Sequence, residues 1–234
     1  KKDVLIKVKD HKMYSNSLDR LLAIYLWKFS ALENFETILL KKIVKPGMIV
    51  FDIGANIGYY TLILAQLVGD KGKVYAFEPD PENFRLLVKN IEVNNYKNIS
   101  LIQKAISDKN EKIKLFLSKG HKGNHKIYSS GEKRNFIEVD TITLDNFVNQ
   151  NKINPNLIKM DIEGSEYLAL KGMKEVIKRN KNVILISEFS PKAMQECGNH
   201  PEKFLETLKD LGFKMKVINE RKKTLEFVEK NSIL

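Results

Sequence analysis

Acidic residues recur where apolar runs end. Asp52 falls in "MIVFDIG", Glu78 in "GKVYAFEPD", Asp108 ends "KAISD", Asp161 and Glu163 stand in "NLIKMDIEG", and Glu188 follows "NVILIS". Carboxylates in such places can accept hydrogen bonds from hydroxyls and amines, take a proton, or hold a divalent cation through oxygen. The stretch "FDIGANIGYY" (51–60) narrows the choice. A strand that ends in Gly at a tight turn, just before a helix, brings backbone N–H groups toward a ligand at the carboxyl edge of a sheet. Counted from Gly54, a dinucleotide fingerprint needs glycine at positions 56 and 59, where this chain has Asn56 and Tyr59. Without the middle glycine the backbone cannot approach a pyrophosphate closely, which excludes a nicotinamide dehydrogenase.

Asp52 sharpens the reading. A carboxylate before the turn repels a pyrophosphate and attracts an amine. S-adenosylmethionine carries an ammonium, a sulfonium and no phosphate. Its aminoacyl end suits Asp52 and the turn formed by Gly54, Asn56, Gly58 and Thr61, with the helix N-terminus taking the ligand's carboxylate. Glu78 lies twenty positions after Gly58, where an acid can take both ribose hydroxyls. Ala105 to Asp108 can flank the adenine, with Asp108 accepting from its amine.

These residues need a frame to hold them. From Met48 the sequence alternates strand and helix: "MIVFDIG", "YYTLILAQLVG", "GKVYAFEPD", "PENFRLLVKNIEVNN" and "ISLIQKAIS". Such alternation implies a parallel sheet with helices on both faces. Residues 111–140 break the rhythm with "EKIKLFLS" and "NFIEVDTITL", an inserted antiparallel hairpin around a long loop. Alternation then resumes with "NLIKMDIEG", "SEYLALKGMKEVIKR", "NVILISEF" and "PEKFLETLKDLG", and closes with the pair "FKMKVIN" and "KTLEFVE". Before Met48, "VLIKVKDHKMYSN" reads as a short hairpin, and Leu18 to Val44 as helical until "KPG" stops it. The expected organisation is an N-terminal hairpin and helical cap over 1–47 and a core over 48–234.

Six blocks in order carry a family resemblance: "GMIVFDIGANIGYYT", "GKVYAFEPDPENF", "KAISD", "GNHKIY", "EVDTITLDNF" and "LIKMDIEGSEYLALKGM". The chain resembles the FkbM-type family of S-adenosylmethionine-dependent methyltransferases from about Lys45 to Phe189, with a weaker extension back to Glu36. That resemblance implies a Rossmann-like class I methyltransferase fold with a seven-stranded, mostly parallel sheet whose last strand is antiparallel. It also implies O-methylation of a hydroxyl on a sugar, glycan or natural product.

Methyl transfer to oxygen aligns an acceptor hydroxyl with the sulfonium methyl. A base or metal is expected, because a sugar hydroxyl is a poor nucleophile. Asp161 ends a strand beside the cofactor, counts among the expected cofactor-binding residues, and is the first candidate for orienting or deprotonating the acceptor; its rival role is capping the next helix. Glu163 follows as a second catalytic candidate. Glu188, on the same sheet edge, either binds the acceptor hydroxyl or makes a loop hydrogen bond. In the inserted loop, His125 belongs to a family block and is a base candidate, whereas His121 is only nearby. Lys159 can pair with Asp161, and Glu166 reads as a first-turn acid complementing a helix dipole. No compact metal-ligand spacing is present, although Asp161, Glu163 and Glu188 could together hold magnesium. Glu36 and Thr37 are placed to close over the aminoacyl end.

Composition sets outer bounds. The chain has 234 residues, 43% hydrophobic and 29% charged, enough for a substantial core. Its single cysteine, Cys197, excludes an internal disulfide framework and fits a reducing, cytoplasmic setting. The net charge of +11 comes almost entirely from lysine. Nucleic-acid methylation is therefore a second reading, weakened by the scarcity of arginine and by "DIEG" where an amino-methylating turn would stand. An inactive cofactor-binding partner is a third. "LLAIYLWKFSAL" is too short to span a bilayer and packs as a helix or lies on a membrane surface.

Overall fold

The structure, a computed structural model, describes residues 3–16, 34–116 and 135–227. Strands β1 (Asp3–Val8) and β2 (His11–Asn16) form an antiparallel hairpin, and helix α1 (Phe35–Ile43) follows. The alternating segment gives β3 (Ile49–Ile53), α2 (Tyr59–Val68), β4 (Lys73–Phe77), α3 (Pro81–Val93) and β5 (Ile99–Ile102). Next come the short β6 (Ala105–Ile106), then β7 (Lys112–Phe116) and β8 (Phe136–Ile142), which pair antiparallel as the insertion was expected to. The remainder is α4 (Leu144–Asn151), β9 (Leu157–Met160), α5 (Glu166–Lys171), α6 (Lys174–Arg179), β10 (Ile184–Ser187), α7 (Pro191–Glu196), α8 (Pro201–Asp210), β11 (Lys216–Asn219) and β12 (Thr224–Phe227).

The central sheet runs β10-β9-β3-β4-β5, all parallel. Period-two alternation sends its side chains to two cores. Phe51, Ile53, Phe77, Ile158 and Met160 face one core with residues of α4, α5, α6 and α8. Val50, Val74 and Leu157 face the other with Leu40 of α1 and Leu64, Ala65 and Val68 of α2, while Ala76 meets α3. Helices therefore cover both faces. On the second face two charged residues stand in register, Asp52 against Lys159, and each is nearly sealed from solvent.

Several expectations need correction. Among the described residues the sheet has five strands rather than seven, because β11 and β12 pair only with each other as a separate ribbon. The run "ISLIQKAIS" is not one strand: β5 stays in the sheet, whereas β6 leaves it to pair with β8. "SEYLALKGMKEVIKR" is two short helices broken at Gly172, where a Cβ would stand 2.0 Å from the Ser107 carbonyl oxygen. Helices α4 and α7 were not anticipated. Their short polar-rich sequences carry N-caps, Thr143 and Ser190, that follow directly on strand-like runs.

The N-terminal hairpin docks on α3, and its Val8 and Met13 share a core cluster with Leu86, Leu87 and Ile91 of that helix. Tyr14 N–H donates to Asn90 Oδ1, and Asn90 Nδ2 donates to the carbonyls of Tyr14 and Ile57. One buried amide thus joins the hairpin to the glycine turn.

Candidate active site

The carboxyl ends of β3, β4, β9 and β10 meet around the turn 54–58. Gly54 sits at φ +83°, and a Cβ there would lie 2.0 Å from the Asp161 carbonyl oxygen. Only glycine allows that approach, which sets the turn directly against the end of β9. Asn56, at φ +52°, occupies the left-handed region that asparagine tolerates, so the departure from the dinucleotide pattern keeps the turn's shape.

Backbone N–H groups from Gly54 to Gly58 all donate within the chain. Gly54 and Ala55 donate to the Phe77 carbonyl, Asn56 to Glu78 Oε2 at 2.8 Å, Ile57 to Asn56 Oδ1, and Gly58 to the Ala55 carbonyl. Glu78, only 5% exposed, also accepts from Asp80 N–H at 2.9 Å, so it ties β4 to the turn. Burial pushes its carboxyl up to about 7 against the pull of those N–H groups.

Asp52 is 1% exposed. Thr61, itself fully buried, donates to its Oδ2 at 2.6 Å and so acts on the site through Asp52. Asp52 Oδ1 is buried and has no hydrogen-bond partner, a position that asks for a donor. Burial raises its carboxyl, partly countered by Lys159. The Lys159 ammonium lies 3.5 Å from Asp161 Oδ2 and 4.2 Å from the Tyr60 ring centroid. Burial works against its charge, yet Asp161, Asp52 and Glu36 together hold it above the ordinary lysine range. The pairing of Lys159 with Asp161 follows the sequence expectation.

Asp161, Glu163 and Glu188 converge, each offering an oxygen within 4.8 Å of the others. Glu188 continues from β10, its N–H donating to the Met160 carbonyl at 2.9 Å. Burial, then Asp161 and Glu163, push its carboxyl up to about 7. Three oxygen donors are a set that magnesium accepts; a proton shared among them answers the same repulsion.

Ala105 is buried in β6, and Asp108 pairs with Lys171 at 2.6 Å. The Asp108 carboxylate is therefore already held on the side expected to border an adenine. His121 and His125 fall outside the described residues, as does the whole of "LLAIYLWKFSAL".

Two features escaped sequence reasoning. Glu166 is fully buried, and its Oε1 accepts from Ile162 N–H at 3.1 Å and Gly164 N–H at 3.2 Å. It anchors the β9–α5 turn and does more than complement a dipole. The Glu163-Gly164 pair, both at positive φ, was the available signal for a turn needing such an anchor. Tyr60 is the other: its hydroxyl donates to Glu36 Oε2 at 2.8 Å, a contact no local pattern encodes.

A parallel Rossmann-like sheet with an acid-flanked glycine turn at its centre defines an S-adenosylmethionine-dependent methyltransferase frame. The chain belongs to the FkbM methyltransferase family: the Methyltransferase FkbM domain matches residues 52–215. It is 28% identical over 164 residues to the hexuronic acid methyltransferase AglP of Haloferax volcanii, covering 68% of this chain and 65% of that one. It is 24% identical over 146 residues to Methyltransferase 1 of Beauveria bassiana, covering 54% and 58%. The chain thus spans somewhat under two thirds of the length of these relatives. A SAM-dependent methyltransferase from Aquifex aeolicus aligns at 19% identity and TM-score 0.48, covering 88% of this chain and 95% of that one. Among the described residues, no helix is long and apolar enough to cross a membrane.

Proposed function

We propose that this methyltransferase transfers its methyl group to oxygen, on an uncharged hydroxyl of a sugar, glycan or natural product. The observation that carries the reading is the contact of the glycine turn with Asp161, whose side chain meets Glu163 and Glu188. Cofactor residues and acceptor acids then share one strand edge.

The residues present suit S-adenosylmethionine: Asp52 Oδ1 lacks a donor in a nearly sealed position, and the ligand's ammonium is one. Asp52 would take that ammonium with Thr61 fixing it, Glu78 the ribose, and Gly54, Asn56 and Gly58 the shape of the turn. Ala105 and Asp108 would border the adenine. When bound, the cofactor supplies a methyl group on a positively charged sulfur. Asp161 orients the acceptor hydroxyl, and Glu188 takes its proton, since a base near neutral proton affinity serves best. Glu163 keeps Glu188 in that range by like charge. Three acids disfavour a carboxylate as acceptor, so the hydroxyl of a sugar fits better than its acid group. The name of the AglP relative supports a sugar acceptor and no more.

Labelled methyl donor presented to neutral glycans, uronates and RNA tests this. Transfer to neutral hydroxyls is expected. Asp161→Asn should lower it by at least about a hundredfold with S-adenosylhomocysteine affinity unchanged. Chelation that abolishes transfer, with magnesium restoring it, would assign the three acids to a metal instead of a proton. Transfer confined to carboxylates, or an active Asp161→Asn, would overturn the reading.

A further inference from the structure

Glu36 lies outside the residues that the family domain matches, yet the structure gives it an unusually fixed place. Asn34 caps α1, accepting from Thr37 N–H at 3.0 Å and from the Thr37 hydroxyl. Asn34 Nδ2 also donates to Tyr60 OH at 3.0 Å, and that hydroxyl donates to Glu36 Oε2. From the β11–β12 turn, Glu220 accepts Phe35 N–H at 2.8 Å and Glu36 N–H at 2.9 Å. A carboxylate from residues far along the chain thus closes the N-terminus of α1, where the helix dipole favours it. Tyr60 in turn lies under the Lys159 ammonium.

Two independent observations ask for a cation at this spot. Among the described residues, the one ammonium of Lys159 serves three acids: it lies 3.5 Å from Asp161, stands in register with Asp52, and sits over the Tyr60 ring whose hydroxyl donates to Glu36. Separately, the buried Asp52 Oδ1 has no donor. Burial lifts the Glu36 carboxyl, with Lys159 opposing and Asp161 adding to the rise, which places Glu36 in the same electrostatic neighbourhood.

We propose that Glu36 is a cofactor-binding residue which, with Asp52, takes the ammonium of the aminoacyl arm, and that Tyr60 and Glu220 fix it for that task. This rests on the reading that the site binds S-adenosylmethionine. The N-terminal helix and the C-terminal ribbon then both belong to the cofactor site, although Glu36 and Glu220 lie outside the matched family domain.

Calorimetric titration with two ligands tests it. S-adenosylhomocysteine has the aminoacyl arm; 5′-methylthioadenosine keeps the adenosine and thioether without it. Glu36→Gln should weaken S-adenosylhomocysteine at least about tenfold, the loss of a hydrogen bond to a charged group. Methylthioadenosine binding should stay unchanged, which also reports that the pocket is folded. Glu220→Gln should give a smaller loss with the same selectivity. Equal losses for both ligands would make Glu36 a structural support and overturn the proposal, as would unchanged S-adenosylhomocysteine affinity. A parent protein that binds neither ligand would remove the cofactor reading itself, and this proposal with it.

Discussion

Lys159 shows how one residue organises the site. A lysine on the buried face of a sheet is tolerated only with compensating charge, and Asp52 stands beside it in register while Asp161 lies 3.5 Å away. Removing the ammonium leaves the buried acids uncompensated. Lys159→Met should therefore destabilise the fold by about 3 kcal/mol at pH 7, the low end for a broken buried pair, because Asp161 is 45% exposed and screened. Asp52 and Glu36 have carboxyls raised by burial, so they take protons in the folded state before they do in the unfolded chain. On acidification that uptake should offset part of the loss, and the gap between variant and parent should narrow toward pH 5. Urea denaturation at both pH values measures it; a gap that widens on acidification would show that Lys159 is not balancing these acids.

At the scale of elements, the β9–α5 turn decides where the acids point. Glu163 and Gly164 both adopt positive φ, and a Cβ on Gly164 would stand 2.5 Å from the Ala193 carbonyl oxygen. Glu166 secures this bend by accepting two of its N–H groups, while Oε2 is buried without a partner. Burial raises its carboxyl to about 7 from an ordinary 4.5. The sign follows: folding favours the protonated acid, so its contribution is best below pH 4.5 and declines as pH rises to about 7. Glu166→Gln keeps the accepting oxygen without the charge. It should flatten that part of the stability–pH curve and raise stability at pH 8 relative to the parent by up to about 3 kcal/mol. Denaturation curves from pH 4 to 8 test this, and an unchanged slope would assign the dependence to Glu78 or Glu188, which are raised to the same range.

At the scale of the whole molecule, charge is divided by place. The net +11 resides largely in lysines spread along the chain, whereas the site gathers Glu36, Asp52, Asp161, Glu163 and Glu188. A basic surface draws polyanions without sequence preference, but lysine-rich contacts release counterions and weaken steeply with salt. RNA binding should thus be detectable at low salt and vanish near physiological salt in filter-binding assays. Salt-resistant, sequence-selective binding would favour a nucleic-acid acceptor over a glycan.

Local chemistry carried much of this protein's identity in the order of its residues. Period-two apolar runs ending in acids marked β3, β4 and β9, and Asn56 in place of a glycine separated the turn from a dinucleotide site. The spacing of Lys159 and Asp161 on one strand already placed them on one side of the sheet. What the chain order could not contain was distance across it. Glu220 and Glu36 are 184 residues apart in sequence and meet only because the ribbon reaches α1. The proximity of Asp161 to Glu188 depends on β9 and β10 lying side by side, and the break at Gly172 on contact with Ser107. The five-stranded sheet, too, reflects where β11 and β12 found partners rather than their own strand-like patterns. Hydrophobic periodicity fixes which face of an element is buried, but the neighbour on that face is chosen by packing of the whole chain.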